Sequence, residues 1–303
     1  MEFFRANTKI DFMGQRWIAA ICSVVLFLVS IISLFVYGLN FGLDFTGGTQ
    51  IEMTYTKPAD LNAIREDLQK AGFNAVVQAY GTSFDVVIRV PPYKGDQQLL
   101  KDKIIEVLPD AHFQQMEYIG PQVGKTLFTN GLLAILISLI VTMLYIAFRF
   151  EFRFAVSAAV ALIHDPIIIL GVFSFFHLQF DLIALAAVLT IIGYSLNDTI
   201  VVYDRVRENF RRIRKGTPTE IMNLSINQTL SRTIMTSGLT LLVVVALFLF
   251  GGEMLHGFAL ALIIGIVVGT YSSIYVAGAL AVMMGLDRAS LLPAVKKELD
   301  GLP

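Results

Sequence analysis

A single cysteine, Cys22, stands in a chain of 303 residues. One thiol can form neither an intrachain disulfide nor a Cys-rich metal site. Inside an apolar run it reads as a small packing side chain. Charge is scarce too: 16% of the residues are charged, and the formal net charge is −1. A chain with no basic field lacks the electrostatic footprint of a nucleic-acid binder. Apolar residues take the place of charge, at 55% of the sequence. That balance selects the membrane class before any motif is read.

Motifs for bond-making chemistry are also missing. No Ser/His/Asp constellation carries a local signature, and no ligands stand at zinc spacing. Residues 120–126, GPQVGKT, come nearest to a phosphate-binding loop. The pattern G-x-x-x-x-G-K-[ST] needs glycine where Ile119 stands. A flexible hinge is the better reading of this segment. The chain is therefore expected to be no enzyme, with no metal and no cofactor.

What the sequence does contain is long apolar runs, at 17–37, 127–148, 154–176, 182–203, 233–250 and about 255–284. A span needs about 20 residues at a rise of about 1.5 Å each. The first five runs fit, and the sixth must tilt or project from the bilayer. The first run is too long for a signal-peptide core, and no small-residue cleavage site follows it. The chain thus divides into an amino end at 1–16, a first span at 17–37 and a looped-out segment at 38–126. Five further spans occupy 127–286, with a loop at 204–232, and a tail covers 287–303.

Basic residues give the direction. Arg5, Lys9 and Arg16 precede span one, and Arg149 and Arg153 join spans two and three. Arg205, Arg207, Arg211, Arg212, Arg214 and Lys215 follow span four, and Arg288, Lys296 and Lys297 follow span six. The loops at 177–181 and 251–254 hold no Lys or Arg. The positive-inside rule then places both termini, and the loop at 204–232, in the cytoplasm, and 38–126 outside. The outward segment carries eight Lys/Arg, but long translocated domains are exempt from the rule.

Within that segment, strand-like 46–56 precedes helix-like 58–71. The β-rich pieces 75–80 and 83–90 follow, with Gly81-Thr82 as their turn. Helix-like 96–108 then leads to strand-like 111–118. The order β-α-β-β-α-β predicts a small ferredoxin-like α+β domain on an otherwise α-helical, six-span membrane protein. Pro91-Pro92 ends the third strand, since proline cannot donate to a ladder. Gly42, Asp44, Gly47 and Gly48, in FGLDFTGGT at 41–49, are read as the hinge after span one.

Ionisable groups at membrane depth cost about 2.5–3.5 kcal/mol each and are functional candidates by default. Span three holds His164-Asp165-Pro166, span four holds Asn197-Asp198-Thr199, and Arg232 opens span five. By rise per residue, Asp198 lies roughly 8 Å from the cytoplasmic end of its span and Asp165 roughly 16 Å. An Asp198–Arg232 pair is allowed if spans four and five adjoin. Burial favours a neutral carboxyl and a nearby guanidinium favours a charged one. An acid held between these influences can take up and release a proton. Arg keeps its proton and serves as fixed counter-charge. The structural alternative is a static pair that fixes helix register. His164 is read as a hydrogen-bonded packing residue near the path. Pro166 frees a backbone carbonyl beside the acid.

Two further patterns stand out. Gly257, Ala261, Gly265, Gly269 and Ser273 recur every four residues in span six and make a close-packing face. Thr217-Pro218-Thr219-Glu220 is a capping sequence and predicts a surface helix over 218–230.

At these residues the chain resembles the SecF family, the smaller membrane subunits of the SecD–SecF protein-export complex. The matching pieces are FGLDFTGGT (41–49), HDP (164–166) and GYSLNDTIVVYDRVREN (193–209). SRTIMTSGLTLL (231–242) and GGEMLHGFALALIIGIVVGTYSSIYVA (251–277) complete them. The resemblance implies membership of the resistance–nodulation–division superfamily, with SecD supplying a second six-span repeat. It implies a bacterial inner membrane and a periplasmic domain at 38–126. It further implies SecYEG, SecA, YajC, YidC and unfolded preprotein as partners, with the proton motive force promoting a late, periplasmic-side stage of translocation. The family's acid on span four maps onto Asp198, and its arginine on span five onto Arg232. A proton-driven exporter of small molecules or lipids from the same superfamily is the alternative. The modest outward domain and the lone six-span unit favour the first reading.

Overall fold

A computed structural model of the chain describes residues 9–93, 95–213 and 215–286. Arg5, Arg214, Arg288, Lys296, Lys297 and the tail from 287 lie outside the described residues.

A short 3₁₀ turn, Met13–Gln15, leads into α1, Arg16–Val36. After it come β1 (Asn40–Phe41), α2 (Leu43–Thr46), β2 (Gly48–Tyr55), α3 (Leu61–Lys70), β3 (Val76–Tyr80), β4 (Thr82–Val90), α4 (Gln97–Val107) and β5 (Ala111–Ile119). The chain returns in α5 (Pro121–Arg149) and α6 (Phe152–Phe175), then passes through β6 (Gln179–Phe180) to α7 (Leu182–Arg212). It ends with α8 (Pro218–Phe250), α9 (Glu253–Ser272), a π-helical stretch at Ser273–Gly278 and α10 (Ala279–Met283). Among the described residues, six helices are long and apolar enough to cross a membrane.

The outer domain is one four-stranded sheet in the order β3-β4-β2-β5, with every neighbouring pair antiparallel. Alternation along the strands sorts its faces. Ile51, Met53, Val86 and Ile88 are buried with Ile64 and Leu68 of α3 and Leu100 and Ile104 of α4. Both helices begin on an aspartate cap. Asp60 accepts from the amides of Asn62 and Ala63 at 3.0 and 3.2 Å, and Asp96 accepts from Gln98 at 2.9 Å. The other face carries Gln50, Glu52, Arg89, Gln115 and Glu117, and it looks toward the outer ends of the spans.

Two local expectations change. Residues 121–126 form the opening turns of α5, not a loose hinge. Pro121 sits at the first helical position, where its missing N–H is no loss. Gly124 packs so closely that a Cβ there would stand 2.9 Å from the amide nitrogen of Gly47. The predicted helix at 218–230 forms, and its capping box is complete: Thr217 N to Glu220 Oε2 is 2.8 Å and Glu220 N to Thr217 Oγ1 is 3.3 Å. It does not lie apart along the surface, because nothing stops it before Phe250 and it runs straight into span five. The stretch 204–232 is carried by the ends of α7 and α8, which join at 213–217.

Burial separates the six spans. α6, α7 and the sixth span, α9 to α10, form the interior, while α1, α5 and α8 turn most of their length outward. Leu132, Leu136 and Ile137 of α5 and Leu239, Leu242 and Val243 of α8 are exposed apolar side chains. In a polytopic protein such faces meet lipid or another subunit.

Candidate polar core of the spans and its outer joint

The interior helices bring two buried acids together. Asp165 on α6 is 1% exposed and Asp198 on α7 is 5% exposed, so both are buried. Asp165 is the hub. Oδ1 lies 2.9 Å from Nδ1 of His164, and Oδ2 accepts from Ser195 Oγ at 2.5 Å and Ser272 Oγ at 2.8 Å. The far ring nitrogen of His164, Nε2, meets Ser23 Oγ of α1 at 2.6 Å. One tautomer satisfies the whole chain. Ser23 donates to Nε2, and the Nδ1 hydrogen goes to a carboxylate that only accepts. Four helical segments thus converge on one carboxyl group.

Asp198 has a separate partner chain. Thr270 donates to Ser237 Oγ at 3.0 Å, and Ser237 donates to Asp198 Oδ2 at 3.2 Å. Ser195 and Asp198 are three residues apart on α7, a rise of about 4.5 Å. The two acid clusters therefore sit one helical turn apart. No ion pair joins Asp198 to Arg232 among the described residues. Thr233 and Ser237 make the buried face of α8 at this level, four residues apart. Arg232 precedes that face by one residue, about 100° around the helix, and its side chain is exposed. The direct contact to Asp198 at this level is the serine bridge, and the charge of Arg232 acts on the carboxyl from beyond contact distance.

Small residues let these helices close. A Cβ on Gly265 would collide with Ile191, and one on Gly269 would stand 3.0 Å from Ser195 Cβ. The close-packing face of span six at these two positions is thus turned to α7 of the same chain. Gly257, nearer the outer end, has only Gln179 O within reach, at 3.9 Å. A second small-residue seam joins α1 to α6. Ser33 donates to Ser174 at 3.0 Å, and Ser30 occupies the space beside Gly171. The π-helical stretch begins one residue after Ser272. Such stretches concentrate at functional sites because they free backbone groups and re-aim side chains.

The outer joint gathers the FGLDFTGGT residues. β1 pairs in parallel with β6, and Gly42 N donates to Phe180 O at 2.8 Å. A Cβ on Gly42 would press on Asp181. Asp44 Oδ2 accepts from Leu182 N at 2.9 Å, and Asp181 Oδ1 accepts from Ala184 N at 2.7 Å. Both carboxylates thus hold the amino end of α7, where the helix dipole favours negative charge. Gly47 has φ 66° and Gly48 has φ 125°, a region that L side chains avoid. A Cβ on Gly47 would stand 3.0 Å from Pro121, and one on Gly48 would strike Val90 O. These four residues form a packed corner between the domain and the spans.

Arg89 crosses the joint. Its Nε donates to Gln50 Oε1 at 3.2 Å and its Nη2 to Gln179 Oε1. Burial lowers its affinity for a proton, and the charge of Asp181 opposes that. Beneath it a cleft of about 320 Å³ is lined by Asp44, Glu52, Glu117 and Asp181. Burial raises the pKa of the Asp181 carboxyl; its bond from Ala184 resists the shift and the charge of Asp44 adds to it. Burial likewise raises Glu52, against its bond from Gln50 and with the repulsion of Glu117.

Sequence reasoning missed the hydroxyls at 23, 195, 237, 270 and 272, and it missed Arg89, Gln179 and Asp181 at the joint. Serine and threonine are common in apolar helices, where they bond to the carbonyl four residues back. Their number hid the few that face an acid. Asp181 carried a usable signal, an N-cap residue just before an apolar run.

Comparison with known proteins agrees with this layout. Residues 99–287 match the family described as "Protein export membrane protein SecD/SecF, C-terminal", and residues 32–59 match the "SecD/SecF GG Motif". The "Protein translocase subunit SecF" of Vibrio alginolyticus is 50% identical, over 98% of this chain and 97% of that protein. The proteins of the same name from Escherichia coli O157:H7 and Pseudomonas aeruginosa are 46% and 47% identical, over 95% of this chain in each case and 92% and 96% of theirs. A crystal structure of SecDF, a translocon-associated membrane protein from Thermus thermophilus, superposes with a TM-score of 0.86 at 38% identity. The match covers 93% of this chain and 39% of that one. SecDF in a super-membrane-facing form has the same identity and coverage and a TM-score of 0.70.

Proposed function

The chain belongs to the SecF family of protein translocase subunits, and on that premise we propose that it couples the proton motive force to preprotein translocation through the Sec channel. The stage is late, on the periplasmic side. A role in protein translocation and a multi-pass membrane location follow from the family. The bacterial inner membrane, the cytoplasmic termini and the periplasmic placement of 38–126 are part of the proposal. Its support is the asymmetry of basic residues between the loops.

The observation that carries the proposal is the pair of buried acids one turn apart, contacted directly by hydroxyls and His164, with the Arg232 charge acting on Asp198 from farther off. A neutral hydroxyl can follow a carboxyl through protonation by turning its own hydrogen; a fixed guanidinium cannot. Asp198 and Asp165 are the proton-carrying groups on this reading. His164 holds Asp165, and Arg232 supplies positive charge at the cytoplasmic side. No bond is made or broken in a substrate, so the protein acts without enzyme chemistry or cofactor.

SecD is the partner that supplies a second set of spans. The solved SecDF chain is much longer than this one, which spans 39% of it. SecYEG, SecA, YajC, YidC and an unfolded preprotein complete the set of partners by family. The two SecDF forms match this chain with equal identity and coverage but unequal TM-scores. The two forms therefore differ from each other in arrangement over the part this chain matches. The strand order β3-β4-β2-β5 with β-α-β-β-α-β connections supports a ferredoxin-like reading of that part.

The test is Asp198→Asn in the intact complex with SecD. It preserves shape and removes titration. Export that responds to an imposed proton gradient as before would end the proposal.

A further inference from the structure

Outside the polar core, one cluster of charge is unused by the proposed coupling. It lies where α5 ends and α7 emerges. Arg149, Arg207, Arg211 and Arg212 surround a cleft of about 390 Å³ together with Asp204 and Glu208. Arg149 grips Asp204 through both carboxylate oxygens, at 2.9 and 3.0 Å, and Arg207 stands 3.9 Å from the same residue. Both guanidiniums stand over the Phe150 ring, Arg149 at 5.2 Å and Arg207 at 5.7 Å from its centre. Glu208 is taken by Arg205 at 2.8 Å and by Arg212 at 2.9 Å. Arg211 makes no ion pair among the described residues. The lining of the cleft therefore holds four cations against two anions. Arg207 and Arg211 share a helix face one turn apart.

Depth and surroundings name the occupant. Leu182 opens α7 at the outer end, so about 20 residues carry it across the hydrocarbon. Arg207 then lies roughly 7 Å beyond that edge, in the headgroup layer. Phe148 is 89% exposed and Phe152 is 74% exposed; they lie one residue before Arg149 and three after it, at the end of α5 and the start of α6. Cations at headgroup level beside exposed aromatic rings fit one molecule that is anionic at one end and aliphatic at the other.

We infer that this cleft binds the phosphate of an anionic glycerophospholipid, with Arg207 and Arg211 on its oxygens and the acyl chains along Phe148 and Phe152. The site rests on the multi-pass reading and is independent of proton coupling.

The complex with SecD, purified in detergent, is titrated with phosphatidylglycerol or phosphatidylcholine, and bound lipid is counted by native mass spectrometry. Retention of phosphatidylglycerol over phosphatidylcholine is expected, with a drop of about fivefold for each cation removed in Arg207→Gln and Arg211→Gln. Arg211→Lys keeps the charge and is expected to retain most of the binding, which separates site loss from misfolding. Equal retention of the two lipids, or a double variant that binds as the parent does, overturns the site. Full displacement by inorganic phosphate assigns it to a free anion instead of a lipid. Loss of SecD from the double variant with lipid binding intact assigns the arginines to a subunit contact, and also overturns the inference.

Discussion

The polar core of the spans and the outer joint are both built on aspartates, and they hold them in opposite ways. At the joint, Asp44 and Asp181 accept backbone amides at the start of α7, where the helix dipole stabilises their charge. In the core, Asp165 and Asp198 accept from side-chain hydroxyls and one imidazole. A backbone amide cannot rearrange without breaking the helix; a hydroxyl turns freely. The first arrangement fixes geometry and the second tolerates a change of protonation. The same residue type is thus a structural cap on one level and a candidate carrier on another.

The sharpest way to break this contrast is to neutralise one acid of each kind. Asp165→Asn and Asp198→Asn are expected to abolish the stimulation of export by a proton gradient. A charge moved through about 100 mV is worth about 2.3 kcal/mol, so the lost stimulation is up to about fiftyfold. Preprotein translocation into vesicles, with and without an imposed gradient, measures it. Asp44→Asn, which leaves both core acids in place, is expected to keep the stimulation. If Asp44→Asn and Asp198→Asn abolish it equally, the distinction between cap and carrier fails.

Next in size are the glycines that seat the two regions. Gly48→Ala puts a side chain at φ 125° and against Val90 O, with a strain of about 1–3 kcal/mol. Gly265→Ala in the core meets only the Ile191 side chain. Overpacking of this kind also costs about 1–3 kcal/mol, at the lower end where the neighbour can move. Thermal unfolding of the purified complex is expected to rank Gly48→Ala as the more damaging, because backbone yields less than a side chain. The reverse order would mean that the corner is loose and the helix seam is the rigid part.

Both regions were partly legible in the sequence. Hydropathy located every span, because an apolar run of about 20 residues is long enough to cross the hydrocarbon and longer than most buried core helices require. The outer sheet was visible in its β-rich pieces and the turn between two of them, and the buried acids stood out against apolar neighbours. What could not be read was orientation about each helix axis. Asp198 and Arg232 matched in depth, but one residue of offset turns Arg232 off the face that Thr233 and Ser237 occupy. Local propensity also could not tell a hinge from a helix start at 120–126. Pro121 and the contact of Gly124 with Gly47 decide it, and that contact is tertiary. Likewise the capping box marked where α8 begins, and nothing in it told that the helix continues into a span.

A smaller effect sharpens the joint itself. Asp181→Ala removes the side-chain cap of α7 and is expected to cost about 1 kcal/mol. The loss should appear as faster hydrogen exchange at Ala184 N while the amides around Asp165 are unchanged. A uniform change through the whole helix would tie the joint and the core into one cooperative unit.

The smallest expected effect is a dependence on pH, and its sign separates the two regions. Asp181 and Glu52 have raised pKa values, burial being the first cause of each. A carboxyl whose folded pKa exceeds its unfolded value adds stability that is full below the unfolded value and is lost as pH rises through the folded one. The joint is therefore expected to tighten as the solution around it acidifies and to loosen as pH rises past the ordinary carboxylate range. Asp85, near the start of the inner strand β4, opposes this. Its bonds from Thr54 and Thr82 lower its pKa, so its contribution is present above the unfolded value and fades as pH falls through the folded one. Hydrogen exchange at Gly42 N and Leu182 N across this range measures the joint, and exchange within β4 measures the sheet. Protection at the joint that rises on acidification, and flattens in Asp181→Asn but not in Asp165→Asn, assigns the response to the cap residues. The same flattening in Asp165→Asn would instead make the outer corner a readout of the buried acid, and the contrast between fixed cap and mobile carrier would become a coupling between them.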